Sequence, residues 1–256
     1  MIASLGMYDP APLQAANDRY YALIRDGLRT AGLNAPEALT RGPDAYWPAW
    51  LSPDLVLSQT CGLPYRAKLH DKVTLIGTPD FGLDGCPPGY YRSVFVVRQD
   101  DPRALLADYA AGILAYSEDL SQSGWSAPHD HATAVGLRWS SVLQTGAHRN
   151  SARAVADGKA DLAAIDALTW ELMCRHEPWP KQLRVLEATH PTPGLPYIAG
   201  PGADADTMLA VIAAAIDRLT PEDRSLLHLR GIVRIPAAAY LAMPIPPAPG
   251  AMGTAS

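Results

Sequence analysis

Short apolar runs alternate with amphipathic stretches from one end of the chain to the other. Residues 2–6 read as a buried strand, and the next stretch sets Leu13, Ala16, Tyr20, Leu23, Ile24 and Leu28 on one stripe. That spacing predicts a helix over 13–31, ended by Gly32 in the position where glycine relieves a left-handed turn. Further strands are predicted at 55–57, 73–76, 91–98, 113–116, 142–144, 161–165, 183–187 and 197–199. Helices are predicted at 105–109, 151–157, 166–175 and 207–219, and a last one opens at Pro221, the first helical position that proline prefers. Strands alternating with helices in this way predict an α/β fold with a largely parallel sheet. From Pro236 onward Pro, Ala and Gly dominate, so 241–256 is expected to be a flexible tail.

Composition narrows the function classes. The chain has 256 residues, 48% of them hydrophobic and 18% charged, which is a globular balance. Its formal net charge of −5 removes the usual electrostatic reason to expect a nucleic-acid partner. No apolar run is long enough to span a bilayer, so no membrane insertion is expected. Residues 1–7 show neither a basic region nor an apolar core of the kind that directs export. The location expected of the chain as encoded is therefore cytoplasmic, and periplasmic only if the start is misassigned or a signal was removed. Cys61, Cys86 and Cys174 are odd in number and lack paired spacing, so neither a disulfide framework nor a zinc site follows.

The chemistry on offer lies in three hydroxyl- and glycine-rich turns, each between a predicted strand and a predicted helix. They are Thr60-Cys61-Gly62, Ser121-Gln122-Ser123-Gly124 and Thr145-Gly146-Ala147-His148. A helix start leaves backbone N–H groups unpaired and carries about half a positive charge, so such turns can hold an oxyanion. The ordinary role of Ser, Thr and Gly there is a helix cap, and Ser151 and Asp166 read equally well as caps. Together the turns favour a small anionic, oxygen-rich ligand. His129 and His131 lack a third ligand, no catalytic motif is present, and no metal or cofactor is implied.

With these residues in view, the chain resembles the phosphate, phosphite and phosphonate substrate-binding proteins of ABC transporters, from Ile2 to about Gly231. The carriers are Ser4-Leu5-Gly6-Met7-Tyr8-Asp9, Ser58-Gln59-Thr60-Cys61-Gly62, Tyr91-Arg92-Ser93-Val94, Ser121-Gln122-Ser123-Gly124, Thr145-Gly146-Ala147-His148 and Ala163-Ala164-Ile165-Asp166. The resemblance implies a two-lobed type 2 periplasmic-binding-protein fold with two hinge-crossing strands and a ligand cleft between lobes. Lobe 1 would combine 1–96 with 186–256, and lobe 2 would cover 97–185. It further implies that Ser121, Gln122, Ser123 and the amide of Gly124 hold the ligand oxygens, with Thr145, Gly146, His148 and Asp166 beside them. Tyr8, Thr60, Tyr65 and Tyr91 complete the implied ligand set.

The function so implied is reversible capture of a phosphonate-, phosphate- or phosphite-like oxyanion by lobe closure, for uptake with an ABC permease and without catalysis. Two alternatives use the same scaffold. One is a cytosolic enzyme resembling those of menaquinone or thiamine-precursor biosynthesis, and the other is a cytosolic ligand sensor.

Overall fold

The structure is a computed structural model that describes residues 1–249. The chain divides into two compact units: the first is Met1–Tyr90 with Pro193–Met243, and the second holds Tyr91–Thr192 together with residues 244–249. The boundaries differ from the expected 97–185. The strand Ser93–Arg98 belongs wholly to the second unit because it pairs on both sides, with Leu162–Asp166 and with Leu183–Ala188.

In the first unit five strands lie in the order Ile2–Ser4, Leu55–Gln59, Tyr197–Ala199, Thr74–Asp80, Gly231–Val233. Only the first pair is parallel; Tyr197–Ala199 and Gly231–Val233 run antiparallel to their neighbours. The long helix Gln14–Thr30 buries Ala16, Tyr20, Tyr21, Ile24 and Leu28. Gly32 (φ +78°) ends it, with the Leu33 amide donating to Leu28 O at 2.9 Å. This helix packs on Ala205–Asp217. A Cβ at Gly27 would sit 2.7 Å from a Val211 methyl, so glycine sets how closely the two helices approach. A core of Trp50, Leu55, Tyr65, Leu69, Ile198, Ile235 and Tyr240 closes the other side.

The second unit has its own five strands, ordered Ser141–Gln144, Ile113–Tyr116, Leu162–Asp166, Ser93–Arg98, Leu183–Ala188. The first three are mutually parallel, and the last two run antiparallel. Each unit is thus a mixed sheet, in place of the largely parallel one expected. The core gathers Phe95, Leu114, Tyr116, Trp125, Trp139 and Leu162, each large side chain contributing about 1.5–3 kcal/mol through burial.

The expected tail 241–256 is partly structured. Ala237–Leu241 is helical with Tyr240 fully buried, and the carbonyl of Pro247 accepts from the indole of buried Trp125 at 2.9 Å. The rest of that tail, 250–256, lies outside the described residues.

Candidate functional site

Three parallel strands of the second unit deliver their carboxyl ends to three helix starts. Ile113–Tyr116 leads to Gln122–Ser126, a π-helical turn running into the helix Ala127–Ala134. Ser141–Gln144 leads to His148–Ala156, and Leu162–Asp166 leads to Ala167–His176. At the first start Ser121 is extended (φ −89°, ψ 123°), and its hydroxyl oxygen accepts from the Gly124 amide at 2.9 Å. The Gly124 amide is therefore spent inside the turn, where the resemblance had it on the ligand. Capping uses an oxygen lone pair, so the Ser121 O–H keeps its own hydrogen to give. The amide of Ser123, in the first turn, has no acceptor within the helix. Gly124 has no room for a side chain, since a Cβ there would lie 2.4 Å from Ser117 Oγ and 3.0 Å from Ser121 Oγ.

The second turn is a scaffold. The Thr145 and Gly146 amides donate to the carbonyls of Tyr116 and Ser117, each at 2.9 Å. The Thr145 hydroxyl is shared between Tyr116 O at 3.0 Å and Ser151 Oγ at 2.6 Å. Gly146 holds φ +81°, a conformation that glycine adopts without strain. This bracing aims His148, the first helical residue, at the first turn: its Nε2 lies 2.7 Å from Ser123 Oγ. Burial drives the His148 pKa down to about 4, so the ring is neutral near pH 7. Ser151, read as a cap, is instead buried inside this helix.

Asp166 caps Ala167–His176 by accepting from the Thr169 amide at 2.8 Å. Tyr91 is buried at the edge of the same unit. Gln122 is buried within the π turn. Two further residues of this site carry no turn signature. Buried Ser93 donates through Oγ to Ser123 O at 2.9 Å, and Ser117 accepts from the Gly146 amide while its hydroxyl fills the space beside Gly124. A hydroxyl placed at the end of an apolar strand was the one signal available for them. His129 and His131 do not converge: the first contacts Asp130, the second Glu187 at 2.7 Å.

The other three candidates belong to the first unit. Thr60 opens Gly62–Pro64 and the π-helical Tyr65–Leu69, so the two similar turns, at 58–62 and 121–124, both run into π-helical segments. Its amide donates to Pro196 O at 3.1 Å, while its fully buried hydroxyl has no partner among the described residues. Tyr65 packs edge-on against Tyr240, and burial raises its pKa. Tyr8 stands edge-on to Phe81, and its carbonyl accepts from Asn17 at 2.9 Å.

Hydroxyls and first-turn amides gather at the carboxyl edge of this mixed α/β sheet, an arrangement suited to an anion. A family model described as the periplasmic substrate-binding protein of phosphonate ABC transporters matches residues 59–240. The chain belongs to that family. No curated protein matches it in sequence. Among solved structures it is similar to XAC2383 from Xanthomonas citri bound to chloride (TM-score 0.70, 18% identity, 93% of this chain and 92% of that one). PhnD1 from Prochlorococcus marinus in complex with methylphosphonate gives a TM-score of 0.67 at 16% identity, over 89% and 90% of the two chains. A binding-protein component of an ABC phosphonate transporter from Pseudomonas aeruginosa, PA3383, gives 0.65 at 14% identity, over 91% and 80%. These likenesses carry the two-lobed periplasmic-binding-protein fold. Among the described residues no helix is long and apolar enough to cross a membrane.

Proposed function

We propose that this protein captures a small phosphonate-type oxyanion on the turn Ser121–Gly124 and hands it unchanged to an ABC permease, working in the periplasmic setting of its family. The observation that carries the reading is the paired support of that turn: Ser93 holds the Ser123 carbonyl and His148 holds the Ser123 hydroxyl. A serine fixed from two sides at a helix start meets an anion with little reorganisation. The ligand oxygens are assigned to the Gln122 and Ser123 amides and the Ser121 O–H. Thr145, Gly146 and Asp166 are assigned to bracing the turn. Thr60 is the first unit's proposed donor, because a buried hydroxyl without a partner is costly and a ligand oxygen would satisfy it. Tyr8, Tyr65 and Tyr91 are proposed as aromatic walls.

The test is a thermal-shift series with methylphosphonate, phosphite, phosphate, sulfate and acetate, followed by calorimetry on the best ligand. A rise in Tm confined to the phosphorus oxyanions supports the reading, and no shift with any of them contradicts it. Phosphorus NMR of the released ligand separates capture from turnover: an unchanged spectrum is expected, and a new resonance would indicate an enzyme.

A further inference from the structure

The strand Ile113–Tyr116 runs into Ser117, whose carbonyl accepts from the Gly146 amide at 2.9 Å. Its side chain lies against the other turn: Oγ is 2.4 Å from where a Gly124 Cβ would stand, with Ser121 Oγ 3.0 Å from the same point. Ser117 therefore sits between the two helix starts that Ser123 and His148 join. The residue is only 6% exposed, and its hydroxyl makes no hydrogen bond to a described residue. Unlike the enclosed hydroxyl of Thr60, the Ser117 oxygen keeps some surface open to the outside.

Packing alone does not account for this side chain. An alanine methyl would fill most of the same space without the desolvation cost that an unpaired hydroxyl carries. The neighbouring hydroxyls are engaged with other partners. That of Tyr116 meets Asp119 at 3.1 Å, and that of Thr145 is shared between Tyr116 O and Ser151 Oγ. Ser121 Oγ accepts from the Gly124 amide, and Ser123 Oγ is held by His148. The π turn continues without a break into Ala127–Ala134, so its start carries the positive end of a longer helix. A hydroxyl whose hydrogen has no internal acceptor, set beside such a start, is available to an anion.

We infer that Ser117 is a further ligand-binding residue of the site proposed above, donating to the third oxygen of a tetrahedral XO3 group. The site thereby selects phosphonates over anions that present two terminal oxygens. The donors already assigned, on Ser121, Gln122 and Ser123, are consecutive in the chain and approach from the helix start. Ser117 approaches from the strand end and serves an oxygen of its own. A phosphinate, with hydrogen in place of the third oxygen, would leave the Ser117 hydroxyl covered and unpaired, and that penalty is the source of the discrimination.

The test is calorimetry on the full chain with methylphosphonate and methylphosphinate, at mildly acidic pH where each carries one negative charge. The native protein is expected to prefer methylphosphonate by about tenfold or more. In Ser117→Ala, affinity for methylphosphonate should fall by about tenfold or more, while that for methylphosphinate stays within about threefold or rises. The urea midpoint of the variant should match the native one, because no internal hydrogen bond is lost. An equal loss for both ligands, or a loss for neither, overturns the inference. So does native binding of both within about threefold, a comparison that needs no variant. The proposed function stands under each of these results. If methylphosphonate does not bind the native protein at any pH, both are overturned.

Discussion

The Ser123 hydroxyl and the His148 imidazole meet at 2.7 Å, joining two helix starts that are 25 residues apart in the chain. Bringing them together is the task of the Thr145–Gly146 turn, whose amides hang from the carbonyls of Tyr116 and Ser117. The contact makes the two turns one mechanical object, and several measurable consequences follow from its parts.

Gly124→Ala is expected to damage this object directly. The new methyl would lie 2.4 Å from Ser117 Oγ, with Ser117 N 3.2 Å away, so either the helix start or the strand end must move. Urea unfolding should show a loss of about 1–3 kcal/mol, and calorimetry a loss of affinity of tenfold or more. Gly146→Ala meets no atom within 4 Å and should cost only the left-handed backbone strain, about 1–2 kcal/mol. Equal behaviour of Gly124→Ala and native protein would mean that the close approach is unimportant.

His148 gives the fold an acid sensitivity of known sign. Its pKa falls from 6.5 to about 4 on folding, so over that interval the unfolded chain binds the proton and the folded chain does not. The stability it contributes is complete above about 6.5 and declines as the pH drops toward 4. Allowing for the ring's partial exposure, the decline amounts to about 1–3 kcal/mol. Urea midpoints at neutral and acid pH should therefore differ less in His148→Gln than in the native protein. An identical acid dependence in both would contradict this.

Thr60→Val separates stability from binding. The Thr60 hydroxyl is fully buried and has no partner among the described residues, so its removal deletes no internal hydrogen bond. Stability should stay within about 0.5 kcal/mol of native or rise, while affinity falls by about tenfold. A destabilised variant with native affinity would assign Thr60 a purely structural role.

The segment from Pro244 onward is expected to support the cradle. Trp125, the residue after Gly124, is fully buried and donates its indole N–H to Pro247 O. Deleting 244–256 strips that buried donor of its acceptor, at a cost of about 1–3 kcal/mol. Thermal unfolding should shift down, and tryptophan emission should change. A deletion with unaltered unfolding would show that the contact contributes nothing.

Much of the fold was legible because its signals are local. Strands at 113–116 and 197–199 match their apolar runs, and Gly32 ends the first long helix as its position requires. Strand direction was not legible. The returning strands Ser93–Arg98, Leu183–Ala188 and Tyr197–Ala199 pair antiparallel, and nothing in a short apolar run records its neighbour's orientation. The helix expected at 151 begins at His148, because the Thr145–Ser151 hydroxyl contact closes the turn earlier than a search for caps suggests. Within the candidate site, residue types pointed to the turns but not to the ownership of their hydrogens. Sequence alone cannot tell that the amides of Gly124, Thr145 and Gly146 are consumed internally, nor that Ser93 and Ser117 reach the site from strand ends. The proline-rich end looked loose because composition does not reveal that Trp125 holds Pro247.

The most direct measurement of the central claim is a crystal structure of the full chain grown with methylphosphonate. The account predicts phosphorus density at the start of Gln122–Ala134, with ligand oxygens in hydrogen-bonding contact with the amides of Gln122 and Ser123 and with the Ser121 hydroxyl. Density elsewhere on the protein, with Ser121–Gly124 facing only solvent, would contradict it.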